Sequence, residues 1–189
     1  MKENKINYTK AIVFSGVAIA LATILANYAK FDLPAHIVNG GSITLFSMLM
    51  VCIVGYWYGP AFGLMAAVAH GLIQYFTGTA YVVAPIQIII DYPLAFGALG
   101  LSGFFYKKKH GLVIGYLVGV FGRLFFACLS GIIFYTELVG NFTSDSVAIW
   151  GAITYNMAYI VPEVLITLIL LCVPPVGKMF GQLKKMARS

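Results

Sequence analysis

The chain has 189 residues, of which 61% are hydrophobic and only 10% charged. A soluble domain carries about 25% charged residues, so the composition excludes an ordinary soluble fold and identifies an integral membrane protein. The formal net charge of +6 would suggest nucleic acid in a soluble protein. Here the cations stand beside apolar runs and read as topology signals, with no nucleic-acid partner implied.

A helix needs roughly 20 apolar residues to cross a bilayer. By that measure the chain predicts one all-α membrane domain over 1–189, with six transmembrane helices over about 11–29, 42–58, 60–77, 85–106, 111–135 and 147–173. The basic start Met1–Lys10 has no small-residue cleavage site after it, so the first apolar run reads as a helix and not as a removed signal. Ala18, Ala22 and Ala26 form a flat strip on that helix, because residues four apart share a face. Lys30–Gly41, with Asp32, Pro34, His36 and the Asn39-Gly40-Gly41 turn, is too polar for lipid and predicts an external loop or a re-entrant piece. Gly59-Pro60 makes a tight turn into the third span. Gly78–Tyr81 makes an outer loop, and Pro85 opens the fourth helix. Lys107-Lys108-Lys109-His110 ends that helix. The acidic loop Glu137–Ser146 separates the last two spans. Pro174-Pro175 stops the sixth span and leaves a basic tail with Lys178, Lys184, Lys185 and Arg188.

An even number of spans puts both termini on one side. Lys2, Lys5, Lys10, Lys107–Lys109 and the basic tail all fall there, whereas the opposite side holds Lys30 against Asp32, Glu137 and Asp145. The positive-inside rule then makes the termini cytoplasmic in a multi-pass membrane protein. Cys52, Cys128 and Cys172 lie inside apolar runs without a CxxC pair and read as small core residues.

Asp91 is the residue around which a function can be argued. A carboxylate deep in an apolar helix costs about 2.5–3.5 kcal/mol on the lenient insertion scale. Gln87 lies one turn before it on the same face. Tyr92 follows it, and Pro93 frees the carbonyl of Ile89 and permits a bend. Counted along its helix, Asp91 sits about 9–12 Å below the outer end, level with Asn156 and Tyr135. Arg123 and Glu163 lie deeper, at similar depth on neighbouring helices. They predict an internal ion pair that fixes packing. That leaves Asp91 without a cation at its own level, so a cationic ligand is the missing partner. Tyr81, Tyr92, Tyr135, Trp150, Tyr155 and Tyr159 gather in the outer half, where aromatic faces stack on heterocycles and attract cations. An interfacial aromatic belt accounts equally well for Tyr135 and Trp150.

No GxxxxGK[ST] motif is present, so energy for transport would have to come from another protein. His36, His70 and His110 are scattered, and neither a metal site nor a cofactor is implied; His70 reads as a hydrogen-bonded core histidine. Gly100-Leu101-Ser102-Gly103 is similar to the serine motif of rhomboid-type intramembrane proteases, but no histidine is placed to activate Ser102. Close helix packing is the simpler use of those small residues.

These residues together resemble the thiamine-specific substrate-binding subunits, or S components, of energy-coupling factor (ECF) vitamin transporters. The resemblance rests on Gly40–Thr44, Thr77–Tyr81, Ile90-Asp91-Tyr92, Arg123–Phe126 with Ser130–Phe134, and Tyr155–Tyr159. It implies six helices, a vitamin site near the outer face, and assembly with a transmembrane coupling subunit and two ATPases. Asp91 then holds the acidic position of the site, and Tyr81, Tyr92 and Asn156 match other ligand-contacting positions. The first-helix strip of Ala18, Ala22 and Ala26 corresponds to the surface that docks on the coupling subunit. Three positions depart from the pattern. Ala127 replaces a histidine, Tyr135 stands where Trp or Phe also occurs, and Gly151 replaces a tyrosine beside Trp150. Thiamine is the ligand implied, with a pyrimidine or thiazole precursor or another small heterocycle as the alternative.

Overall fold

The computed structural model describes residues 6–32, 42–77, 84–139 and 145–189, leaving aside the side chains of 32, 135–139, 145 and 148. Helix α1 spans Tyr8–Tyr28, with the Asn7 side chain capping its first turn by accepting the Lys10 N–H at 3.2 Å. Strands β1 (Lys30–Asp32) and β2 (Ser42–Thr44) pair antiparallel, with Phe31 opposite Ile43. Helices α2 (Ser47–Tyr58) and α3 (Pro60–Thr77) follow. Then come α4 (Pro85–Phe105), α5 (Gly111–Val139), α6 (Asp145–Cys172) and α7 (Pro174–Arg188).

The described residues form seven helices and one short ribbon. Four stretches are long and apolar enough to cross a membrane by themselves: Tyr8–Tyr28, Pro85–Phe105, Gly111–Phe134 and Ile149–Cys172. Helix α2 has only 12 residues, a rise of about 18 Å, because Ser42–Thr44 is drawn into the ribbon instead of extending the helix. Helix α3 buries the polar side chains His70 and Gln74.

The tail departs from the sequence reading. Pro174 does not merely stop α6 at Cys172; it opens α7, where its missing N–H costs no hydrogen bond. Phe180 and Ala187 of α7 are buried against the bundle, so the tail is a packed amphipathic helix.

Backbone proximity at glycines holds the middle of the fold together. A Cβ on Gly55 would lie 2.7 Å from the Gly103 nitrogen, and one on Gly103 would lie 2.5 Å from the Pro60 Cα. Such contact between α2, α3 and α4 replaces the hydrophobic drive that lipid removes. Ser102 belongs to this seam: it is 1% exposed, and its hydroxyl donates to the Cys52 carbonyl at 2.9 Å.

The alanine strip of α1 is also internal. Ala18 and Ala22 are 3% and 0% exposed, in the same buried cluster as Leu49, Val51 and Ala67 of α2 and α3, while Ala26 is half-buried. The expectation that this strip grips a partner is therefore corrected. Small side chains let α2 and α3 approach α1 closely, and the stripe is used up inside the chain. The outward side of α1 carries Ile12, Val13, Gly16, Val17, Ala20, Leu21 and Ile24.

Candidate ligand-binding site

Asp91 sits where α4 changes its winding. Ile90–Leu94 forms a π-helical turn, with the Ala95 N–H reaching back to the Ile90 carbonyl. Pro93 causes this, since it has no N–H to continue the α-helical ladder. Such one-turn bulges re-aim side chains and gather at functional sites. The turn fits against α3 only because Gly71 is there: a Cβ at that position would lie 2.5 Å from the Tyr92 carbonyl oxygen.

The surroundings of the Asp91 carboxylate are neutral. Gln87, buried, stands one turn before it, and Ser130 of α5 faces it from across the interface. The Ser130 hydroxyl stops short of a formed hydrogen bond and is buried without a partner among the described residues. A buried hydroxyl without a partner beside a carboxylate suits a ligand that completes both. Sequence reasoning did not single out Ser130; its signal is a lone hydroxyl beside Gly131 in an otherwise apolar stretch.

Tyr92 is half-buried and meets Tyr75 of α3 edge-on at 5.3 Å. On its other side it stacks with Phe96 at 6.3 Å, the planes inclined by 16°. Tyr75 was also missed, because it reads as an interfacial aromatic near the end of α3. Phe96 carries the Arg123 guanidinium on its face at 4.2 Å. His70 meets the same ring edge-on at 5.4 Å, and its Nδ1 lies 3.4 Å from the Thr23 hydroxyl. His70 is thus a core histidine.

Asn156 anchors the α6 wall. Its Nδ2 donates to the Ala127 and Ala152 carbonyls at 3.2 and 2.9 Å, and its Oδ1 accepts the Tyr159 hydroxyl at 2.6 Å. Helices α5 and α6 can approach this closely because of Gly131, where a Cβ would lie 2.9 Å from the Ala152 Cβ. Tyr159 links the two walls, lying within electrostatic reach of both Asp91 and Arg123.

The other candidates are placed less centrally. Trp150 on α6 is 66% exposed and lines a surface groove with Ser146, Val147, Gly151 and Thr154. Tyr135 lies on α5 with its side chain outside the described residues, and Tyr81 lies outside them altogether.

Glu163 and Arg123 do not form the expected ion pair. Among the described residues, Glu163 accepts the Thr44 hydroxyl at 2.6 Å, the Ser47 hydroxyl at 3.4 Å and the Met48 N–H at 3.1 Å. Helix α2 begins at Phe46, a left-handed N-cap with φ 61° and no side-chain cap of its own. Glu163 supplies that cap from α6, and the positive end of the helix balances its charge. Arg123 acts on Glu163 only through space and is held by Phe96 instead.

A family model described as "Thiamine transporter protein (Thia_YuaJ)" matches residues 12–180. Thiamine transporter ThiT from Bacillus subtilis (strain 168) is 30% identical over 148 residues, covering 71% of this chain and 74% of its own length. The solved structure of ThiT from Listeria monocytogenes aligns over 91% of this chain and 95% of its own, with a TM-score of 0.60 and 21% identity. At that identity the structural match speaks for the fold, while the family match runs over nearly the whole chain and includes every site residue named. The chain belongs to the thiamine transporter protein (Thia_YuaJ) family.

Proposed function

We propose that this chain captures thiamine for uptake, binding it from the outer face in the site around Asp91. The family is one of transport proteins of the bacterial membrane, not of enzymes. The observation that carries the reading is the neutral setting of Asp91: a carboxylate between Gln87 and Ser130 with no cationic partner among the described residues. Thiamine brings two flat rings and a positive charge on its thiazolium ring, whose quaternary nitrogen has no proton to lose. Asp91 balances the charge, Tyr92 with Tyr75 offers an aromatic wall, and Asn156 positions the opposite wall. Tyr81, Tyr135 and Trp150 complete the ring contacts, and Gln87 orients the carboxylate.

In this reading the chain crosses the membrane six times, with α2 and α3 as the shorter crossings and both termini in the cytoplasm. The lysine distribution supports it. Release inward is driven by a separate ECF module of one transmembrane coupling subunit and two ATPases, since no nucleotide motif lies in this chain. The coupling subunit docks on the outward side of α1, where Gly16 and Ala20 leave room; a Cβ on Gly16 would meet nothing within 4 Å.

Calorimetric titration of the purified chain with thiamine, and separately with its pyrimidine and thiazole halves, tests the proposal. Saturable binding of thiamine far tighter than that of either uncharged half supports it. Equal binding of the uncharged pyrimidine half would overturn it.

A further inference from the structure

Helix α7 is tied to the bundle along one face and presents another. On the inner face, Phe180 and Ala187 are buried. The Lys184 ammonium donates to the Tyr106 carbonyl and stands over the Tyr56 ring at 3.9 Å. The Tyr58 hydroxyl donates to the Ala187 carbonyl at 3.1 Å, and the Arg188 guanidinium lies 5.4 Å from the centre of the Tyr106 ring. All these anchors are ends of apolar helices. Tyr56 and Tyr58 close α2, Tyr106 follows α4, and only Val173 separates the end of α6 from the start of α7. A helix held at those points lies where the spans leave hydrocarbon, in the headgroup layer.

The outward face shows Lys178, Met179, Gln182, Lys185 and Met186, all exposed and spaced by three and four. Lys108 and Lys109 of the α4–α5 turn are exposed as well, close to Tyr106, where α7 is anchored. Residues 92–136 and 164–189 contain no Asp or Glu, so neither α7 nor the turn brings a carboxylate side chain of its own to neutralise this surface. The alternation matters. Cations beside flexible thioethers match a partner that is anionic at its head and apolar just below.

We propose that the outward face of α7, with Lys108 and Lys109, is a binding site for anionic phospholipid headgroups. The lipid phosphate takes the lysines, and Met179 and Met186 dip toward the glycerol and upper acyl region. An acidic protein segment would engage the charges and leave the methionines in water. Free inorganic phosphate would engage nothing but the charges.

The test compares the full chain with Lys178→Gln/Lys185→Gln in nanodiscs of mixed phosphatidylglycerol and phosphatidylcholine, reading retained lipids by native mass spectrometry. The inner face of α7 is untouched, and an unchanged melting temperature in detergent confirms the fold. The unaltered chain should retain phosphatidylglycerol selectively, with a loss of about fivefold for each charge removed. Met179→Ser/Met186→Ser should weaken retention without abolishing the headgroup preference. Equal retention of both lipids by the unaltered chain would overturn the proposal, as would an undiminished preference in the lysine variant. So would displacement of the lipid by inorganic phosphate, or unchanged lipid retention with loss of uptake, which would assign the face to a protein.

Discussion

The carboxylate of Glu163 accepts the backbone N–H of Met48 at 3.1 Å, so an acidic residue in the middle of α6 caps a helix that starts 116 residues earlier. The Thr44 hydroxyl joins it at 2.6 Å, which ties the ribbon, α2 and the helix that bears Asn156 to a single side chain. Phe46 is held in its left-handed conformation at the same junction, a strain of about 1–3 kcal/mol that the surrounding bonds must offset.

This arrangement predicts how Glu163 and Arg123 respond to substitution. Glu163→Ala should lower stability by about 3–5 kcal/mol, since it strips a buried cap from a strained turn. Arg123→Met should cost less, because it removes a stacked cation and leaves no carboxylate without its hydrogen bonds. Thermal unfolding of the double variant should show the two losses adding to within about 0.5 kcal/mol. Recovery of stability in the double variant would mean that the two are paired after all.

Asp91→Asn keeps the size of the side chain and removes its charge. Thiamine affinity should fall by about 2–5 kcal/mol, or 30-fold and more, because the thiazolium then enters a partly buried site without its counter-charge. Calorimetry decides this, and unchanged affinity would refute the counter-ion role even in a thiamine-binding protein.

The chain has two tryptophans, and they are usefully unequal. Trp57 is 7% exposed, and its ring meets Phe14 and Tyr58 edge-on, whereas Trp150 is 66% exposed on α6. Ligand-dependent quenching should therefore vanish in Trp150→Phe while the resting emission of Trp57 persists. Quenching that survives this change would place the ligand away from the N-terminal end of α6.

Alanine to tryptophan scanning separates the two sides of α1. Ala22→Trp should fail to fold, since Ala22 has no exposed surface and sits in the buried cluster with α2 and α3. Ala20→Trp faces outward and should bind thiamine normally in detergent while uptake in cells collapses. Normal uptake by Ala20→Trp would move the coupling surface off this helix.

The Lys184 amine is pushed down to about 8, first by burial against the bundle and then by the neighbouring Arg188 charge. A lysine with a lowered pKa binds fewer protons when folded than when unfolded. Stability therefore rises with pH between about 8 and the ordinary lysine value near 10.4. The difference in melting temperature between the unaltered chain and Lys184→Met should shift in favour of the former across that window. A constant difference would show that Lys184 is fully hydrated.

Much of the site could be read from residue types alone. Asp91 stands out because a carboxylate is costly in an apolar helix, and Pro93 foretells the break in winding that the π-turn realises. What escaped the sequence depends on distance along the chain or on which way a face points. Depth counting paired Glu163 with Arg123, since it counts side-chain charges and not the partial charge at a helix end. The alanine spacing of α1 serves an internal neighbour as well as an external one. Pro174-Pro175 stops one helix and opens the next, and both acts leave the same residues in the sequence.

The glycine seam between α2, α3 and α4 sets where this protein can change. At Gly55 and Gly103 a single methyl group would drive backbones apart, so those positions are closed to substitution whatever the cargo. The walls near Asp91 are made of side chains, Tyr92 with Tyr75 on one side and Tyr159 with Asn156 on the other, and none of these sets a backbone-to-backbone crossing. Ligand choice can therefore drift by exchanging wall residues while the frame stays fixed, which lets one scaffold be retuned toward related heterocycles in few mutational steps.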